Sequence, residues 1–262
     1  MAPLISAEDL ADHIEEAQVF DLRWSLTDPA HGRATYLAGH IPGAVFVDLD
    51  TDLSNPPGLD GRHPLPELRD FARTLGRLGV DRSSDVVVYD DMAGVVAARM
   101  WWMLQAIGHP RVRLLDGGFQ YWVSMELPVE TGNVEAQPTV YPTPLAYRGV
   151  VTRHQLDGHT LIDARAPERY AGLVEPVDPK AGHIPGAVNR PTAENLRPDG
   201  RFLDREELRA IYAGIDRPVV SCGSGVNACH DAVAMVIAGF DVPDLYPGSF
   251  SEWSRRGLPV ET

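Results

Sequence analysis

"AGHIPGAV" stands at Ala38–Val45 and again, letter for letter, at Ala181–Val188. Self-similarity of this kind is read before any local structure, because it sets the architecture. Outward from the octamer other pairs fall into line. "FDLRW" (Phe20–Trp24) answers "IDARA" (Ile162–Ala166), "GGFQYW" (Gly117–Trp122) answers "GSFSEW" (Gly248–Trp253), and "LPVET" occurs at Leu127–Thr131 and at Leu258–Thr262. The chain is therefore a duplication of one unit of about 115 to 130 residues, an ordinary domain size. The seam is "GNVEAQPTVYPTPLAYR", residues 132–148, whose three prolines and lack of any period read as a surface linker. The expected domains are thus 1–131 and 149–262.

Within each half, short apolar runs alternate with amphipathic stretches. Strands are expected at Val19–Leu22, Ala44–Val47, Val86–Tyr89 and Val112–Leu115, then at Leu161–Ala164, Ala187–Asn189, Pro218–Ser221 and Asp244–Tyr246. Helices are expected at Glu67–Leu78, Val95–Ile107, Arg205–Ala213 and Val226–Ala238. Strand–helix alternation predicts an α/β fold in each half, a mostly parallel sheet with helices on both faces. Such sheets bind ligands beyond the carboxyl ends of their strands.

The 37 acidic against 23 basic residues give a net charge of −14, which argues against nucleic acid and anionic membrane surfaces as partners. No apolar run is long enough to span a bilayer, and "MAPLISAEDLADHIEE" lacks the basic start and apolar core of a signal peptide. The two cysteines, Cys222 and Cys229, do not make a disulfide framework, so a reducing cytoplasm is expected. The nine histidines form no cluster with Cys or acid at metal spacing, so neither a metal nor an organic cofactor is expected.

"VVSCGSGVNA" (Val219–Ala228) carries the chemistry. A strand delivers Cys222 to a short loop, and a helix follows. Gly223 and Gly225 let the loop curl and aim N–H groups inward, and the helix N-terminus adds further donors and positive dipole. Both stabilise an anion at sulfur, and the thiolate is the nucleophile. Ser224 and Asn227 would add side-chain donors, and the same cradle would suit an anionic persulfide. Cys229 falls inside the following helix, where packing is its expected role. Aligning "GVVA" (Gly94–Ala97) on "GVNA" (Gly225–Ala228) sets Asp91 opposite Cys222, so only the second half should do thiol chemistry. A phosphatase loop on a related fold needs an arginine six residues after the cysteine; Ala228 stands there.

The duplication, the two "GHIPGA" segments, the "DxR" strand ends and a cysteine loop in the second half only resemble the two-domain rhodanese superfamily of sulfurtransferases. "CGSGV" is similar to its 3-mercaptopyruvate branch; thiosulfate-using members carry basic residues where this chain has Gly223 and Ser224. The resemblance implies a two-step relay through a Cys222 persulfide. The donor would be 3-mercaptopyruvate, or thiosulfate as the alternative, and the acceptor cyanide, a small thiol or thioredoxin. It implies Gly223, Ser224, Gly225, Val226 and Asn227 as the donor-binding loop and Arg169 as an anchoring arginine. It also implies Asp50 and His63, from the first half, as an acid–histidine pair that moves protons near the sulfur. The branch carries a second arginine after an "EP" pair; here Val177 takes that place, and Lys180 is the nearby cation that could replace it. His40 and His183, in the repeated octamers, are expected to be structural. A non-enzymatic sulfur carrier or binding module is the reading from another class.

Overall fold

The computed structural model of the chain describes residues 2–262. These form two compact units. The first holds the residues up to Leu53, Pro66–Tyr147 and Arg197–Phe202; the second holds Ser54–Leu65, Arg148–Leu196 and Leu203–Thr262.

The first unit runs β1 (Leu4–Ile5), α1 (Ala7–Asp12), β2 (Gln18–Asp21), α2 (His31–Ala38), β3 (Val45–Phe46), α3 (Leu49–Asp52), α4 (Leu68–Arg77), β4 (Val86–Tyr89), α5 (Ala97–Ala106), β5 (Val112–Leu115) and α6 (Gly118–Ser124). Its sheet has the order β1-β5-β4-β2-β3, every pair parallel. The second unit runs β6 (Thr160–Asp163), α7 (Pro167–Tyr170), β7 (Val188–Asn189), α8 (Arg205–Ile211), β8 (Pro218–Ser221), α9 (Ala228–Ile237), β9 (Asp244–Leu245) and α10 (Ser249–Arg255). Its parallel sheet has the order β7-β6-β8-β9. No helix among the described residues is long and apolar enough to cross a membrane.

Alternation along the strands assigns the faces. Val19, Val87 and Tyr89 point into one buried cluster with Leu10 of α1 and Trp122 of α6. Their neighbours Phe20, Val86 and Val88, equally buried, point to the other face, where α5 packs on β4 and β5. In the second unit Leu161, Val219, Tyr246 and Phe250 build the corresponding cluster.

The repeated words of the sequence meet each other in space. His40 and Glu130, one from the octamer and one from "LPVET", exchange backbone hydrogen bonds of 2.9 and 2.8 Å. His183 and Glu261 do the same at 2.8 and 3.0 Å. Each histidine ring also stacks on a tyrosine, His40 on Tyr36 and His183 on Tyr170. The "DxR" strand ends are buried ion pairs: Arg23 grips Asp21 and the Gly39 carbonyl, Arg165 grips Asp163 and the Gly182 carbonyl. The octamer, the acid–arginine strand end and the terminal pentamer thus close one knot, made twice.

Expected and observed elements differ at the ends. The helix expected from Val226 begins at Ala228, because Val226 and Asn227 still belong to the turn leaving β8. The segment 132–147 forms no helix or strand, yet it is tied to the first unit: Thr139 N–H donates to the Gly76 carbonyl, and Tyr141 is buried beside His109.

Candidate active site

β8 ends at Ser221, buried between β6 and β9, and the next residue is Cys222, 2 % exposed. Three contacts fix it. Its N–H donates to Ser249 Oγ (3.1 Å), and that hydroxyl donates on to the Tyr246 carbonyl (2.8 Å). Its carbonyl accepts from Phe250 N–H (3.0 Å), and its sulfur accepts from Gly225 N–H (3.2 Å). Ser249 holds this position in a left-handed conformation (φ 50°), an uncommon one for a residue with a side chain. Gly225 has φ +75°, and a Cβ there would lie 2.6 Å from the Pro247 carbonyl oxygen. Only glycine lets the loop close that tightly. Cys229 is buried in α9, its thiol donating to the Gly225 carbonyl (3.3 Å).

The first unit shows what this loop does with an anion. Tyr89 and Ser221 hold equivalent registers, opposite Asp21 and Asp163. The Asp90 carbonyl accepts from Phe119 N–H as the Cys222 carbonyl does from Phe250. The residue at the cysteine position is therefore Asp90, not Asp91, because the first loop is one residue longer before its glycine. The Asp90 carboxylate, fully buried, accepts N–H bonds from Met92, Gly94, Val96 and Ala97 at 2.7 to 2.8 Å. Burial nonetheless pushes its pKa up, against those four donors. Asp91 lies beside His31 instead.

His63 belongs to the second unit, with the segment Ser54–Leu65, although the sequence puts it in the first half. Its Nδ1 is 2.8 Å from Ser224 Oγ, and both residues are buried. Asp50 lies in the first unit, where Trp24 Nε1 donates to its carboxylate (2.9 Å). Asn227 departs from expectation: it is exposed, and its side chain does not cap α9. Val226 is buried under the loop.

Arg169 sits on α7, the single turn that Pro167 opens. It donates to Glu175 (2.7 Å) and Asp178 (3.3 Å), and its guanidinium lies 3.6 Å from where a Gly223 Cβ would be. Burial pushes the Glu175 carboxyl up, but Arg169 and the N–H groups of Val177 and Asp178 outweigh it, and the net shift is downward. Lys180 is not at the loop: its ammonium donates to the Gly257 and Leu258 carbonyls beyond α10. The cation that is there is Arg62, which sequence reasoning missed. Its Nη2 would lie 3.0 Å from a Gly223 Cβ, and its Nη1 donates to Asp178 (2.6 Å).

The model of the rhodanese-like domain matches residues 6–125 and again 150–256. The chain belongs to the rhodanese family. It is 42 % identical, over 96 % of its length and 95 % of the relative's, to the "Probable 3-mercaptopyruvate sulfurtransferase" of Pseudomonas aeruginosa. It is 45 % identical, over 96 % of its length and 93 % of the relative's, to the "Putative thiosulfate sulfurtransferase SseB" of Mycobacterium tuberculosis. Among solved rhodanese folds, 3-mercaptopyruvate sulfurtransferase from Leishmania major superposes with a TM-score of 0.87 at 32 % identity, covering 96 % of this chain and 74 % of that one. SseA from Escherichia coli, a 3-mercaptopyruvate sulfotransferase, superposes with a TM-score of 0.81 at 32 % identity, covering 96 % and 100 %.

Proposed function

We propose that this rhodanese-family chain is a sulfurtransferase that takes a sulfane sulfur from 3-mercaptopyruvate as a Cys222 persulfide and hands it to a thiophilic acceptor. The observation that carries this reading is the Asp90 cradle. Along an aspartate the chain Cα–Cβ–Cγ–Oδ has the same number of bonds as Cα–Cβ–Sγ–Sδ along a cysteine persulfide. Asp90, at the cysteine position of the duplicated loop, meets four N–H donors with its two terminal oxygens, Met92 and Gly94 on Oδ1, Val96 and Ala97 on Oδ2. The Cys222 loop, with its thiol held by Gly225 N–H, is suited to hold an outer anionic sulfur in the same way.

In the first step Cys222 thiolate attacks the donor sulfur. A sulfur–sulfur bond forms, the donor's carbon–sulfur bond breaks, and its electron pair leaves as the enolate of pyruvate. The donor's thiol proton goes to that carbon. His63, whose Nδ1 is 2.8 Å from Ser224 Oγ, would carry it, and the family resemblance adds Asp50 to the proton-handling set. In the second step cyanide, a small thiol or thioredoxin attacks the outer sulfur, and the Cys222 thiolate leaves. No metal or organic cofactor enters the scheme. The acidic charge and a count of two cysteines, too few for a disulfide framework, fit a cytoplasmic protein.

Thiosulfate is the second reading. It is favoured by the name of the Mycobacterium tuberculosis relative and by the two guanidiniums flanking Gly223, cations the loop itself lacks. Steady-state transfer to cyanide from each donor, on the wild type and on Cys222→Ser, tests both. A kcat/KM preference for 3-mercaptopyruvate that Cys222→Ser abolishes is the expected result. A preference for thiosulfate shifts the donor assignment. No Cys222-dependent transfer from either donor leaves the chain a carrier or binding module.

A further inference from the structure

We propose that Glu175 and Asp178 decide which sulfur donor the site takes: they hold the charge beside Gly223 at zero and so favour a monoanionic donor over a dianion. The inference rests on the sulfurtransferase reading and adds to it two specificity-determining carboxylates outside the cysteine loop.

Both residues lie in a segment that the first unit lacks. In each unit the octamer histidine pairs through Nδ1 with the carbonyl of the tyrosine it stacks on, His40 with Tyr36 (2.9 Å) and His183 with Tyr170 (2.8 Å). The two residues are four apart in the first unit and thirteen apart in the second. The half that carries the cysteine thus has nine more residues at this point, and Glu175 and Asp178 are among them. Lys180 pins the far end of the segment to the Gly257 and Leu258 carbonyls.

The two side chains are 3 % and 0 % exposed. A buried carboxylate stays ionised only where partners offset its lost hydration. Glu175 accepts from Arg169 through Nη2 (2.7 Å) and Nε (3.3 Å), and from the N–H groups of Val177 and Asp178 (both 3.0 Å). Asp178 accepts from Arg169 Nη2 (3.3 Å) and from Arg62 Nη1 (2.6 Å). Two carboxylates therefore stand against the two guanidiniums that reach the Gly223 position. Arg165, which also touches Glu175, is matched by Asp163. The cluster is neutral. Glu175 also covers the Nε–Nη2 edge of Arg169, the edge that would otherwise fork onto two ligand oxygens.

Neutrality discriminates between donors by charge. Thiosulfate brings two negative charges, whereas 3-mercaptopyruvate brings one, on its carboxylate. A buried carboxylate about 6 Å from a ligand charge, at an effective dielectric of about 20 to 40, weakens binding roughly 10- to 100-fold for each unit of that charge. Burial spares the interaction most of the screening by salt. The penalty falls once on the monoanion and twice on the dianion.

The test measures sulfur transfer to cyanide from 3-mercaptopyruvate and from thiosulfate on wild type, Glu175→Gln, Asp178→Asn and Glu175→Asp. Each amide removes one negative charge at nearly constant volume. The ratio of kcat/KM for thiosulfate to that for 3-mercaptopyruvate should rise roughly 10- to 100-fold in either amide, through a fall in KM for thiosulfate. Glu175→Asp, which keeps the charge and shortens the reach, should leave the ratio near wild type. Carboxylates that only position Arg169 would affect both donors alike. An unchanged ratio in the amides therefore overturns the proposal, and so does a rise in KM for thiosulfate. Asp178→Asn, which keeps an oxygen for Arg62, decides should Glu175→Gln fail to fold. Should the wild type transfer sulfur from neither donor, the sulfurtransferase reading fails separately. Sulfate and pyruvate are then titrated calorimetrically into Cys222→Ser with and without Asp178→Asn: a larger gain for sulfate supports the proposal, and equal gains overturn it.

Discussion

Replacing Gly225 by alanine should damage the active loop by a calculable amount. Gly225 stands at φ +75°, where an L-residue pays about 1–2 kcal/mol for the left-handed conformation. The new Cβ would also lie 2.6 Å from the Pro247 carbonyl oxygen, 3.0 Å from its Cα and 3.2 Å from its carbonyl carbon. These are backbone atoms that cannot swing aside, and such overpacking adds about 1–3 kcal/mol. The total is about 2–5 kcal/mol. Gly186 supplies the control within the same unit: its φ is +77°, and an added Cβ meets nothing within 4 Å. Gly186→Ala should therefore lose only the conformational part, about 1–2 kcal/mol. Urea denaturation of both variants isolates the clash as their difference. Because Gly225 N–H donates to Cys222 Sγ, its displacement should also lower kcat/KM roughly 10- to 100-fold, while Gly186→Ala stays near wild type. Equal stability of the two variants, with Gly225→Ala still active, would refute the idea that closure on Pro247 positions Cys222.

Two further outcomes are expected. Ser249→Ala removes the acceptor of the Cys222 N–H; an orphaned buried donor costs about 1–3 kcal/mol, and chemical denaturation together with kcat/KM should both fall, whereas a fall in neither would make Ser249 dispensable. Asp231, buried in α9 and bonded to Asn195, has its carboxyl pushed well above the usual range by burial. The folded state therefore keeps a proton that the unfolded chain releases, so stability should decline as pH rises from the ordinary carboxylate range towards that raised value. Asp231→Asn should flatten this slope in a pH series of denaturation curves; an unchanged slope would assign it to other groups.

The cysteine and its glycines could be read from the sequence because a strand end, a Gly-x-Gly turn and a helix start are local patterns. The duplicated fold was legible for a different reason: the octamer and the "LPVET" pentamer are far apart in sequence, but they pair with each other in each unit and so recur together. The first-half counterpart of Cys222 was misread by one residue. A string alignment anchored on "GV" has no means of seeing that the loop before Gly94 is longer, and only the strand register and the Phe119 bond assign Asp90. Asn227 was expected to donate inward, but as the residue before α9 it is exposed and its side chain does not cap the helix.

The sequence by itself therefore determined the two-fold α/β plan and singled out Cys222 and its loop as the candidate site, because these rest on near-neighbour patterns or on repeated words; Arg169 was implied only by the family resemblance. Tertiary structure alone decided that residues 54–65 pack with the second unit. That placement brings His63 to Ser224 and Arg62 to Gly223 while leaving Lys180 on carbonyls elsewhere. A guanidinium's use depends on which backbone comes within a few ångströms of its long, flexible stem. Chain closure over such separations is set by packing of the whole unit, and no local pattern around Arg62 encodes it.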